Sequence, residues 1–229
     1  PMPLPVEIKT SEVVADRQKW KLPKEDYLFV FSFDMNSTLT RKNPIAIVES
    51  FLDAFASQPE KRVGLVIKVS HLNKKNPTWK PLEKLLNQDP RLYLISGELR
   101  KPDVLSLYKS CDCYVSLHRA EGFGRGLAEA QLLGLDLIAT GYSGNMEFCA
   151  NNATHTVDYQ LVSLKAGEYF YGEGQQWAEP DIQHAARLMQ ECVAKTGKHG
   201  HDYPVARFAP RYCGEIYRER LKEIARFLN

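Results

Sequence analysis

Long apolar runs are missing from this chain of 229 residues: none approaches the ~18 residues that a membrane-spanning helix needs. The opening Pro1-Met2-Pro3-Leu4-Pro5 lacks the shape of a signal peptide. Charge of one sign is also missing, since 30 basic against 28 acidic residues leave +2, too little to argue for nucleic acid or an acidic surface as partner. Cysteine is sparse and odd in number, five with no framework spacing, which fits free thiols in a reducing compartment. Cys111 and Cys113 flank Asp112 without a matching His or Cys pair. His71, His155 and His184 likewise have no partners at metal spacing, so no metal site is expected. No Gly-x-Gly-x-x-Gly follows the first strand and no Gly-x4-Gly-Lys occurs, which disfavours a dinucleotide cofactor and a phosphate loop. Gly-x-Ser-x-Gly is absent too, leaving no nucleophile elbow.

What remains, 44% hydrophobic and 25% charged residues, describes a soluble globular chain long enough for one proper core. Residues 1–26, rich in Pro, Lys and Glu, read as an extended linker. From Tyr27 onward, strand and helix patterns alternate. Strands are expected at Tyr27–Phe33, Val63–Val69, Leu92–Ile95, 114–117, 137–139 and near Thr154–Val157. Between them, helices are expected from Pro44, over Pro77–Leu86, Pro102–Tyr108 and 124–133, with a short one between Ser143 and Ala150. Such alternation implies an α/β fold, a Rossmann-like parallel sheet with helices on both faces. Residues 159–180 show no clear period, and Lys195–Asp202 reads as a turn. Asp181 is placed to cap a helix, and a last amphipathic helix spans about Pro210–Leu228.

The chain is organised around Glu121-Gly122-Phe123-Gly124-Arg125-Gly126-Leu127-Ala128-Glu129, a strand-to-helix turn behind the apolar run Tyr114–Leu117. At about 1.5 Å rise per residue, Glu129 lies roughly 7 Å into the helix and leans back toward its start. A helix start attracts phosphate, and Gly122 and Gly124 let the backbone approach an anion closely. Glu129 and Glu121 would then accept hydrogen bonds from hydroxyls on either side of that anion. The bland alternative is that both acids complement the helix dipole and the glycines serve packing.

Glu-x7-Glu around Gly-Phe-Gly, followed by Leu135–Thr140, resembles the signature of the retaining GT-B glycosyltransferases (family 4, group 1). Arg41-Lys42-Asn43-Pro44 and Ser143-Gly144-Asn145-Met146-Glu147 are similar to two further segments of that family. The likeness runs from about Tyr27 to the C-terminus and covers the donor-binding half of such an enzyme. It implies a nucleotide-sugar-binding domain over 27–205, and a terminal helix over 206–229 packing back toward an acceptor domain that precedes this stretch. The resemblance implies transfer of a hexose from a UDP- or GDP-linked donor to a glycan or lipid-linked acceptor. No cofactor is implied, and no metal, the chain having no Asp-x-Asp. The location implied is cytoplasmic, with peripheral membrane association of the whole enzyme as an option.

By that resemblance, Glu121 binds hydroxyls of the transferred sugar, Lys42 faces the leaving diphosphate and Glu129 the ribose. Phe123 and Gly124 offer N–H groups. Arg125, where many relatives carry Leu, either adds a phosphate contact or is simply exposed. The family usually has an arginine several residues before the lysine; Asn36 and Ser37 stand there instead, leaving Arg41 or Lys68 as the second cation. Gly144 and Asn145 are placed to present N–H groups to the donor sugar, while Glu147 reads as a cap. Two other readings stand beside this one: a non-catalytic nucleotide-binding module of the same fold, and a GT-B nucleotide-sugar epimerase, against which the Glu-x7-Glu match argues.

Overall fold

The computed structural model describes residues 2–24, 26–151, 153–195, 203 and 205–228. Its centre is a six-stranded parallel sheet of β1 (Tyr27–Asp34), β2 (Val63–Ser70), β3 (Leu92–Ser96), β4 (Cys113–Ser116), β5 (Asp136–Thr140) and β6 (Thr154–Val157), in the order β3-β2-β1-β4-β5-β6. The inner strands β1, β2, β4 and β5 are apolar almost throughout because both faces are covered. The edge strand β3 alternates buried and exposed positions.

Between these strands lie the helices α1 (Leu39–Lys42), α2 (Pro44–Phe55), α3 (Trp79–Leu86), α4 (Lys101–Lys109), α5 (Arg125–Leu132) and α6 (Met146–Cys149). Later come the strands β7 (Tyr159–Ser163) and β8 (Gln176–Pro180), then α7 (Ile182–Ala194) and α8 (Pro210–Leu228). Helix α2 packs with α3 and α7, and α4 packs with α5. Phe29 of β1 meets Phe51 and Phe55 of α2 at ring-centroid distances of 6.3 and 6.1 Å. Each such ring, fully buried, contributes about 1.5–3 kcal/mol of transfer free energy.

The sheet and its helices stand where periodicity places them, with ends shifted by a residue or two. Asp181 caps α7 by accepting the His184 N–H at 2.9 Å. Residues 2–24 run along the domain: Val6 and Leu22 are buried, and Arg17 pairs with Asp112 at 2.7 Å and donates to the Ser110 carbonyl at 2.8 Å. On α8, Leu221, Ile224 and Phe227 face solvent. Apart from Lys195, the turn expected at Lys195–Asp202 lies outside the described residues.

Two local expectations need correction. The stretch 159–180 is no irregular excursion but an antiparallel hairpin, β7 with β8, its register running from Tyr159 opposite Pro180 to Ser163 opposite Gln176. Its strands escape a period-2 reading because β7 is almost wholly exposed, so no alternation of apolar residues is needed. The polar loop after β1 also contains a helical turn, α1, which ends at Asn43 in the left-handed region (φ 52°) before Pro44 opens α2. Asparagine tolerates that conformation, so the chain reverses there and leaves Lys42 at the end of α1.

Candidate active site

In an open parallel sheet, ligands bind beyond the carboxyl ends of the strands, where the strand order reverses. Here that point lies between β1 and β4, which pair side by side although two strands separate them in the chain. The segments leaving these two strands are therefore neighbours: one carries Arg41 and Lys42, the other Glu121. The Lys42 ammonium ion-pairs with Glu121 Oε2, and Arg41 Nη1 lies 3.5 Å from the same oxygen. Burial pushes the Glu121 carboxyl up, but Lys42 and Arg41 outweigh it and hold it below the usual range. Glu121 is ionised at neutral pH.

Beyond Glu121 the chain turns at Gly124, whose φ of 89° suits a residue without Cβ, and enters α5. The first N–H groups of α5 have no partner within the helix, and the residues that carry them line a cleft of about 410 Å³. Glu121, Lys42, Gly124, Arg125 and Glu129 all line that one cleft. Glu129 is only 3% exposed, and its Oε1 is ion-paired with the half-exposed ammonium of Lys101, which reaches across from the start of α4. The floor is built from Ser32, Tyr108 and Tyr114, with Ser32 Oγ and Tyr108 Oη hydrogen-bonded. Gly126 lets α5 sit on that floor: a Cβ there would lie 2.3 Å from Tyr114 Oη.

The other expected residues take different places. Ser37 Oγ accepts from Arg41 Nη2 at 2.9 Å, while Arg41 Nη1 donates to the Ala120 carbonyl at 2.8 Å, so Arg41 ties the two segments together. Lys68 neighbours Ser32 in register, but it is buried, turned to the Ser70 hydroxyl and outside the cleft lining. Its burial lowers its pKa against the pull of Asp34 and Glu98. Gly122 is open to solvent, with nothing near a would-be Cβ. The Phe123 ring packs against Phe148 and Phe208 at centroid distances of 5.1 and 6.3 Å, which leaves only its backbone for the turn.

Gly144 donates its N–H to the Glu121 carbonyl at 2.9 Å, and a Cβ there would lie 1.9 Å from the Gly122 carbonyl oxygen. Asn145 is fully buried: its Oδ1 accepts from His118 Nε2 at 2.9 Å and its amide donates to the Thr140 carbonyl at 3.1 Å. With Nε2 donating, His118 Nδ1 accepts from the Ser116 hydroxyl at 3.0 Å, and burial keeps the ring neutral by lowering its pKa. The Ser143–Asn145 turn therefore clamps the backbone of the Glu121 turn. Glu147 is exposed in the first turn of α6.

Sequence reasoning missed Lys101, which lies 28 positions before its partner. Arg119, which precedes the acidic turn closely enough to be weighed for the pocket, instead pairs its guanidinium with Glu179 at 2.7 and 2.9 Å.

The sequence model of the glycosyl transferases group 1 matches residues 15–160. The chain belongs to the group 1 glycosyl transferases. A search of proteins with curated function returns no match. Among solved structures, this group 1 chain is similar to a glycosyltransferase from Rickettsia africae ESF-5, at 15% identity and TM-score 0.69, over 98% of this chain and 56% of the other. Similar too is the C-terminal domain of a group 1 glycosyl transferase (LpcC) from Francisella tularensis, at 17% identity and TM-score 0.59, over 83% and 89%. A third is Anabaena Alr3699/HepE in complex with UDP and glucose, at 17% identity and TM-score 0.64, over 90% and 51%. At such identities the likeness establishes the fold, the Rossmann-like unit of GT-B enzymes. The chain spans about half the length of the first of these relatives.

Proposed function

We propose that this group 1 domain is the donor-binding half of a retaining, metal-independent family 4 glycosyltransferase of the hexosyltransferase type. The observation that carries this reading is that Glu121 and Glu129 open into one cleft together with Lys42 and the start of α5. Two acids separated by an anion-binding helix start suit a molecule with hydroxyls at both ends and phosphates between, which is the layout of a nucleoside-diphosphate sugar. Glu129, ion-paired with Lys101, accepts from the ribose hydroxyls. Glu121, kept ionised by its cations, accepts from hydroxyls of the sugar.

In the reaction, the bond between the anomeric carbon and the diphosphate oxygen breaks, and the acceptor hydroxyl oxygen bonds to that carbon on the same face. The nucleoside diphosphate leaves with the electron pair, and its phosphate oxygen takes the acceptor proton. Lys42, Arg125 and the free N–H groups of α5 stabilise the charge that grows on the leaving phosphate. A glycan or lipid-linked acceptor is presented by a further domain, on the cytoplasmic side of a membrane that the whole enzyme contacts peripherally. Among the described residues, no helix is long and apolar enough to cross that membrane. The Anabaena relative was solved with UDP and glucose, which supports a UDP-linked donor; GDP is the alternative.

Calorimetry with UDP, GDP and their sugars, in the presence of a chelator, tests the reading. One nucleotide binds, its sugar binds at least as well, and the domain alone turns over neither. Silence from every nucleotide overturns the proposal in favour of a non-catalytic module, and binding that needs an added divalent ion overturns metal independence.

A further inference from the structure

The donor cleft makes no use of the β7–β8 hairpin, yet the hairpin is fixed to it. Arg119, two residues before Glu121, pairs with Glu179 of β8 at two points and lies 5.3 Å from the centre of the Trp177 ring. It also donates to the Thr40 carbonyl at 2.7 Å, while the Ala178 N–H donates to the Arg119 carbonyl at 3.0 Å. The base of the hairpin thus moves with the turn that carries the acid.

The connection 164–175 closes on itself, Leu164 N–H donating to the Gln175 carbonyl and Gln175 N–H to the Gly172 carbonyl, both at 3.0 Å. Between this tip and the Glu121–Gly122 turn lies a second cavity of about 510 Å³. Tyr169, Phe170, Tyr171 and Trp177 line it, with Gln175 and Gln176 among them. Phe170 is 81% exposed and Tyr171 fully so. Rings held out in water stabilise nothing in the folded chain, and a cluster of them beside a charged cleft marks a binding surface.

The lining selects the ligand. Aromatic faces carry negative π density that attracts weakly positive C–H groups, while the glutamine amides and Arg41 offer donors and acceptors at the edge. A pyranose ring has that pair of surfaces, an apolar C–H face and a rim of hydroxyls. An acyl chain would need an uninterrupted apolar groove, and the glutamines and Arg41 break this one. The volume lies within the usual range for small-molecule sites. Glu121 lines both cavities, so a ring held here lies across that acid from the donor cleft. We infer that the hairpin cavity binds a pyranose ring of the acceptor, placing its hydroxyl toward the carbon that Glu121 flanks. The acceptor part of this inference rests on the donor reading above; the sugar-binding part does not.

Saturation-transfer NMR on the full chain tests it, using methyl α-glucopyranoside, methyl α-mannopyranoside and methyl α-galactopyranoside as probes. At least one receives saturation, and UDP-glucose or GDP-mannose does not displace it. Phe170→Ala with Tyr171→Ala, exposed positions whose loss leaves the fold intact, weakens that glycoside about tenfold or more while nucleotide affinity stays unchanged. No response from any glycoside, or a response that the double variant leaves unaltered, overturns the inference. Displacement by the sugar nucleotides but not by UDP or GDP assigns the cavity to the donor's own sugar and overturns the acceptor role. If no nucleotide binds but a glycoside does so through these rings, the donor reading falls and the sugar site stands.

Discussion

Replacing Lys42 by methionine separates two roles that one ion pair combines. In the folded chain Lys42 neutralises Glu121, a carboxylate whose side chain is 14% exposed, and Arg41 lies 3.5 Å from the same oxygen. Removing one partner of a fully buried pair costs about 3–5 kcal/mol. Here both side chains keep some water, Lys42 at 22% exposure, and Arg41 remains, so about 1–2 kcal/mol is expected, a fall in Tm of roughly 2–8 °C for a chain of this size. Adding Glu121→Gln removes the unpaired charge and restores most of that loss. Nucleotide binding follows another course. A charge-assisted hydrogen bond to phosphate is worth about 1.5–3 kcal/mol, so Lys42→Met weakens UDP or GDP by about 10- to 150-fold. The second substitution cannot restore the cation, and affinity stays low in the double variant. Denaturant melts and calorimetry on the four proteins of this cycle read both quantities. Affinity that recovers along with stability would refute the reasoning, for Lys42 would then act only through Glu121.

Four shorter predictions follow from the same geometry. Glu129→Gln preserves shape but gives up the ion pair to Lys101, and it weakens nucleotide binding about tenfold or more in calorimetry, because a charged acceptor for hydroxyls is gone. Gly144→Ala places a methyl against a backbone oxygen that no side chain can move aside, and lowers stability by about 3 kcal/mol or more in denaturant melts. Glu147→Ala, an exposed change, stays within about 0.5 kcal/mol in the same assay. The folded Glu121 and His118 both have lowered pKa values, so each contributes stability that is full above its unfolded pKa and is lost as pH falls through its folded one. Through these two groups Tm should therefore begin to fall as pH drops below the ordinary histidine range, and fall further under acid conditions. In the His118→Asn variant the earlier of the two declines should be absent.

Much of this architecture is legible from neighbours in the chain. Apolar runs covered on both faces announce β1, β2 and β4, helical spacing announces α2 and α7, and the acidic pair with its glycines marks a strand-to-helix turn before any coordinates exist. These features depend on contacts within a few residues, which is the range over which propensity and periodicity act. The hairpin at 159–180 stayed hidden because the exposed strand β7 leaves no apolar alternation, and its pairing with β8 spans a loop of twelve residues.

Which cation meets which acid is a different matter. Lys42 and Glu121 are 79 positions apart, and they meet because β1 and β4 lie side by side in the sheet, an order that no local pattern encodes. The partnership of Lys101 with Glu129 and the locking of Gly144 against Gly122 arise in the same way. Sequence alone determined the layers and the chemical groups at hand. The packing of strands in space decided that two carboxylates share one cleft and that an aromatic tip stands beside it, since electrostatic and steric contacts depend on distance through space, not along the chain.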